Sequence, residues 1–132
     1  MKSILTFKEY IIESFNNDST GNSRIDKIIK NPELYKATVT IRVMKPERIQ
    51  ELMAKAQGTT SQKAIERRKK MPGFISKINN LKKLINQGVK LDTPFIEVTS
   101  SGSIQDGFHR TIVAQELGIT KMPFILIKRN KR

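Results

Sequence analysis

Between Pro94 and Lys128 the apolar residues change period twice, from strand to helix and back, and that succession restricts the fold more than any other feature of the chain. Pro94 to Val98 is a short apolar run bounded by turn residues, the pattern of a strand. Ser100 to Ser103, with Gly102, reads as a turn, and Ile104-Gln105 as a second, shorter strand. Arg110 to Leu117 carries Ile112, Val113, Ala114 and Leu117 at helical spacing and is closed by Gly118. Pro123 to Lys128 returns to strand. A helix set between strands must bury its apolar side on a sheet, so the expected class is α/β of the α+β kind: a compact mixed sheet with packing helices.

The residues before it extend this pattern. Phe74, Ile78, Leu81 and Ile85, joined by Ile75 and Leu84, form one apolar stripe on a helix ended by Gly88. Ala37 to Val43 alternates and is β-branched, which predicts a strand. Pro46 suits the first position of a helix carrying Ile49, Leu52, Met53 and Ala56, stopped by Gly58. Thr59 to Lys70 predicts another helix, capped by Thr59 or Thr60. Its sizeable apolar groups are Ala64 and Ile65 alone, so it lies largely in water. Nearer the amino end, Thr6 and Glu9 have capping-box spacing, and Phe7, Ile11 and Phe15 share one helical face. Asn16 to Ser23 is polar and rich in Asn, Ser and Gly, and reads as a flexible linker. The expected division is a leader helix over 1–15, a linker over 16–24 and a domain over 25–132.

Charge narrows the function. The 132 residues hold 25 Lys and Arg against 12 Asp and Glu, a net +13 with pI near 10.2. Residues 1–35 are neutral, so the excess lies from Lys36 onward. A balance of this size points to a polyanion, nucleic acid first. Lys63, Arg67 and Lys70 share a helix face, with Arg68 beside them. Lys77, Lys82 and Lys83 decorate the next helix, and Lys128, Arg129, Lys131 and Arg132 follow the final strand. Several basic patches with few acids between them favour sequence-tolerant contact with a DNA backbone. Aromatic residues are 6% with no Trp, which argues against a base-stacking platform for single strands. No Cys is present, which excludes disulfides, thiolate chemistry and a cysteine zinc site. The single His109 builds no zinc cluster alone, and no metal ligand set is assigned. No apolar run approaches the roughly 20 residues of a membrane span, so no membrane partner is expected.

The chemistry concentrates in Ile104-Gln105-Asp106-Gly107-Phe108-His109-Arg110-Thr111. A short strand turns through Asp-Gly directly into a helix. Asp106 is placed to cap the first amides, and Gly107 to turn the chain sharply and leave room above the helix start. The free N–H groups and the positive end of the helix dipole make an anion site, to which His109 adds a switchable donor and Arg110 a forked cation. A phosphate is the natural guest. The alternative is an ordinary helix start, with His109 packed under a loop and Arg110 solvated.

The run Asp106-Gly107-Phe108-His109-Arg110, a helix with Ala114, then Leu117-Gly118-Ile119, Met122-Pro123 and a strand, resembles the signature of the ParB/sulfiredoxin superfamily. The helix ended by Gly88 and the stretch Leu91 to Val98 fit the same order, so the resemblance spans about Phe74 to Lys128. It implies nucleoside triphosphate phosphates, of ATP or CTP with Mg²⁺, held at Gly107, His109 and Arg110 with Thr111 next in line. Phe108 stands where sulfiredoxin needs its catalytic Cys, which excludes peroxiredoxin repair. ParB partition proteins follow this core with a helix-turn-helix domain and carry Glu-Arg-Arg at the Phe108-His109-Arg110 positions, so centromere binding is not expected. His109 and Asp106 are the catalytic candidates, and Glu97 is a second carboxylate flanking the turn.

The amino terminus carries a second resemblance. Met1-Lys2-Ser3 and Thr6-Phe7-Lys8-Glu9-Tyr10-Ile11-Ile12-Glu13 look like the capsid-targeting leader of internal head proteins in T-even-type phages, with cleavage expected after Ile11-Ile12-Glu13. Together the readings give a phage-type accessory protein, packaged with DNA and acting in the host cytoplasm. It binds nucleic acid backbone or a nucleotide phosphate, with nuclease or NTPase chemistry as the catalytic form of that activity. The alternative is a non-catalytic injected protein that binds and inhibits a host enzyme.

Overall fold

Residues 15–16 and 19–129 are described by a computed structural model; residues 1–14 of the expected leader, 17–18 of the expected linker and 130–132, with the basic Lys131 and Arg132, lie outside the described residues. Five helices and four strands are present among them: α1 Ser23–Lys30, β1 Ala37–Met44, α2 Pro46–Ala56, α3 Ser61–Lys69, α4 Phe74–Asn86, β2 Phe95–Thr99, β3 Gly102–Asp106, α5 Phe108–Glu116 and β4 Met122–Arg129, with a 3-10 turn at Pro32–Tyr35 between α1 and β1. The expected α+β class holds.

The strands form one mixed sheet in the order β1-β4-β2-β3. β1 and β4 run antiparallel, with Ile41 opposite Ile125, and β2 and β3 form an antiparallel hairpin with Glu97 opposite Ile104. β2 and β4 are parallel, with Phe95 opposite Ile125. A parallel pair needs a crossover, and α5 with β3 supplies it. Because side chains alternate along a strand, Phe95 and Glu97 face one side of the sheet and Ile96 the other. On the first side α1 drives Ile25 and Ile28 against Phe95, Ile125 and Ile127, all fully buried. Burial of such a side chain is worth about 1.5–3 kcal/mol. On the second side α2, α3, α4 and α5 pack Ile49, Met53, Ala64, Ile78, Phe108, Ile112 and Val113 over Ile96 and Phe124.

The stretch read as a linker is docked. Phe15 is 0% exposed and sits in the larger core. It bridges Leu91 in parallel, and the Asn16 amide donates to the Leu91 carbonyl at 2.8 Å. Ser19 accepts from the Thr93 amide at 2.9 Å. Thr20 is buried, and both its amide and its hydroxyl donate to Asp26 Oδ1 at 2.8 Å. Asn22 caps α1 by accepting from the Ile25 amide at 3.1 Å. Thus Phe15 belongs to the core and not to a leader helix, and α1 begins inside the stretch expected to be flexible.

Candidate phosphate site at the start of α5

Gly107 has φ 106° and ψ 11°, a left-handed conformation that glycine adopts at least cost. A β-carbon there would lie 2.7 Å from Pro94 Cα, 2.8 Å from Pro94 Cβ and 3.2 Å from Arg110 Nη1. The room above Gly107 is therefore filled by Pro94, not left open for a ligand. Its amide donates to Asp106 Oδ1 at 2.8 Å. Asp106 consequently holds the turn and does not cap the helix amides, since α5 has no side-chain cap. Thr111 is fully buried and its hydroxyl donates to the Phe108 carbonyl at 2.6 Å, which turns it away from the helix mouth. Gly107 and Thr111 are thereby corrected from ligand groups to framework.

His109 and Arg110 are half-buried at the mouth. The amides of Phe108 and His109, at the first turn, have no acceptor within the helix, as at any helix start. His109 lies against Phe74 of α4, ring centroids 5.8 Å apart with planes tilted 47°. The Arg68 guanidinium of α3 lies 4.1 Å above the centroid of Phe108, and its Nη1 donates to Ala64 O at 3.2 Å. Arg110 Nη1 is buried and has no hydrogen-bond partner among the described residues; Thr93 Oγ1, just before Pro94, is in the same state. Burying a charged donor without a partner is costly; this nitrogen packs beside Gly107 and Pro94, and the rest of the half-buried Arg110 side chain faces the mouth.

Electrostatics agree with that geometry. His109 is held below its ordinary value of 6.5, first by burial, then by the charges of Lys77 and Arg68, with Asp106 acting in the opposite sense and Arg110 adding a smaller push downward. Burial, with help from Arg67, likewise presses Arg68 down. Three helices thus direct Arg68, Lys77, His109 and Arg110 to one place, and among the described residues no carboxylate forms an ion pair with Arg68, Lys77 or Arg110.

The remaining basic candidates separate. Lys63, Arg67, Lys70 and Lys83 are exposed. Lys82 is taken by Glu116, an ion pair that ties α4 to α5. Of the two catalytic candidates, Asp106 is exposed and no hydrogen bond joins it to His109 among the described residues. Glu97 is 1% exposed on the α1 side of the sheet, clamped between Arg24 and Arg129 with O···N separations of 2.5 and 3.2 Å. These partners pull its carboxyl below the usual range, and it is a structural anion, not a water-activating base. What sequence reasoning missed is the buried side of the site: Arg68 stacked on Phe108, and Thr93-Pro94 filling Gly107. The one signal available was the Thr-Pro pair at the head of a strand. Comparison with protein-family models, with curated proteins and with solved structures gave no match.

Proposed function

We propose that the start of α5 binds phosphate groups of a polyanion, the backbone of DNA first and a nucleoside triphosphate second. The observation that carries this reading is the convergence of Arg68, Lys77, His109 and Arg110, with an unpartnered buried guanidinium nitrogen among them. Arg110 offers a phosphate oxygen the part of its guanidinium that is not buried, Lys77 and Arg68 add field, and the first-turn amides add oriented donors. The order of motifs supports a ParB/sulfiredoxin-like domain as the scaffold. With ATP or CTP, Mg²⁺ would be carried on the triphosphate, and Asp106 is an exposed carboxylate beside the turn that suits it. Nuclease or NTPase turnover would fall to His109, the titratable group at the mouth.

The test is duplex binding as a function of salt. About six phosphate contacts weaken affinity by roughly three decades between 50 and 200 mM salt. Neutralising Lys63, Arg67, Arg68 and Lys70 together reduces affinity on all sequences alike. Binding that ignores salt, or is absent at low salt, overturns the reading and favours the host-enzyme inhibitor. A phage-type, DNA-packaged role follows from the leader resemblance. Cleavage after Glu13 would leave Phe15, and so the core, in the mature chain. Virion-associated protein beginning at Ser14 by mass spectrometry supports the cleaved leader, one beginning at Met1 refutes it, and no virion association refutes packaging.

A further inference from the structure

The helix pair α3–α4 projects a stiff tip. Met71 O accepts from the Phe74 amide at 3.3 Å, and the Met71 amide donates to Arg68 O at 3.0 Å. Pro72 and Gly73, the latter at φ 81° and ψ 1°, hold the two central positions of a type II turn. Met71 opens this turn and is 56% exposed, and Ile75, in the first turn of α4, is 73% exposed, whereas Phe74 between them packs inward on the core. Two large apolar side chains thus stand in water, one on the turn and one at the start of the helix it leads into. From Arg67 to Leu91 the sequence holds Arg67, Arg68, Lys69, Lys70, Lys77, Lys82, Lys83 and Lys90 with no acidic residue.

We infer that this tip is a wedge that inserts Met71 and Ile75 into the minor groove of duplex DNA and kinks it, an inference that rests on the phosphate-binding reading of the α5 start. Apolar wedges of this kind partly unstack a base step, and flanking cations hold the two backbones. The geometry supplies both parts. The base of the tip touches the phosphate cluster directly, through Phe74 against His109 and Arg68 over Phe108. A β-turn spans less than about 7 Å, so the wedge and the cations that hold the adjacent phosphates move as one body. The charge runs inward from the tip along two helices to the α5 start, which follows a nucleic-acid strand. A flat anionic bilayer would meet the tip alone.

The experiment uses the full chain and a duplex of roughly 25 base pairs with a fluorophore at each end, at about 50 mM salt. The parent shortens the end-to-end distance by an amount equivalent to a kink of roughly 20–90°. The double variant Met71→Ser, Ile75→Ser keeps its melting temperature, because both side chains are exposed. It binds the duplex within about tenfold of the parent and leaves it straight. Met71→Leu, which keeps an apolar side chain, bends the duplex as the parent does, whereas Met71→Ser bends it less, and a Met71→Leu variant that bends no more than Met71→Ser overturns the wedge. A parent that binds without bending, or a double variant that bends as well as the parent, overturns the wedge and leaves the phosphate reading standing. No duplex binding at low salt overturns both. Binding to vesicles of equal phosphatidylglycerol and phosphatidylcholine that is lost in the double variant, with DNA left straight, assigns the tip to lipid and overturns the wedge.

Discussion

At Gly107 and Arg110, three residues apart, stability and binding separate. Any β-carbon at position 107 meets the Pro94 backbone and a positive φ together. Gly107→Ala is therefore expected to cost at least about 2 kcal/mol, read as a lower urea midpoint. Arg110 is the opposite case. Its Nη1 is buried without a partner, so Arg110→Ala leaves stability level or slightly higher while phosphate binding falls by about 1.5–3 kcal/mol. Both effects are read by parallel denaturation and titration; a loss of stability in Arg110→Ala comparable to that of Gly107→Ala contradicts the assignment. His109 adds a pH dependence. Its free value is below 6.5, and a bound anion raises it, so proton uptake accompanies binding. The extra affinity is full below the free value and is lost as pH rises through the bound value. His109→Gln flattens that profile, and if His109 is also a general acid or base it abolishes turnover while binding survives.

The helices and strands were mostly legible in the sequence, and the exceptions share a cause. α2, α4, α5, β1, β2 and β4 follow apolar periodicity, β3 is marked by the turn before it, and α3 by its cap, Thr60 accepting from the Lys63 amide as a Thr in that position should. α1 was invisible because the residues that build its start are those that also build linkers. Asn22 caps it through the Ile25 amide, Thr20 and Ser19 brace it through Asp26, and composition alone does not distinguish a bonded Asn from a solvated one. The site was legible to the same depth: the turn and its cations could be read, whereas the inward roles of Gly107 and Thr111 depend on Pro94 and on a back-bonded hydroxyl. Glu97 joins α1 to the sheet through Arg24 and, with Arg129, ties β2 to β4; Arg129 also donates to Tyr35 O at 3.0 Å. Glu97→Gln leaves two cations facing a neutral amide. The expected cost is about 2–3 kcal/mol, below that of a fully enclosed pair because both guanidinium groups reach water. The folded carboxyl titrates below its ordinary 4.5, so its stabilisation is present above that value and is lost as pH falls through the lower, folded one. Urea midpoints measured against pH should show this acid slope in the parent and a shallower one in the variant.

Across the whole molecule, two cores on opposite faces of one sheet make distant segments depend on each other. Phe15 lies in the larger core beside Leu91, 76 positions on (91 − 15), so Phe15→Ala should cost about 3–5 kcal/mol and lower the midpoint of a single unfolding transition. A separate early transition would show instead that this segment is a detachable strap. The sheet order has a consequence for synthesis. β4 is the strand that joins β1 to β2, yet the ribosome makes it after both. From the end of β1 at Met44 to the end of β4 at Arg129 is 85 residues (129 − 44), roughly 4–17 s of translation. For that interval β1 waits with an open edge, joined by the β2–β3 hairpin only for the last 23 residues (129 − 106), and the basic helices between them emerge beside the ribosome's own RNA before the sheet that should carry them is closed.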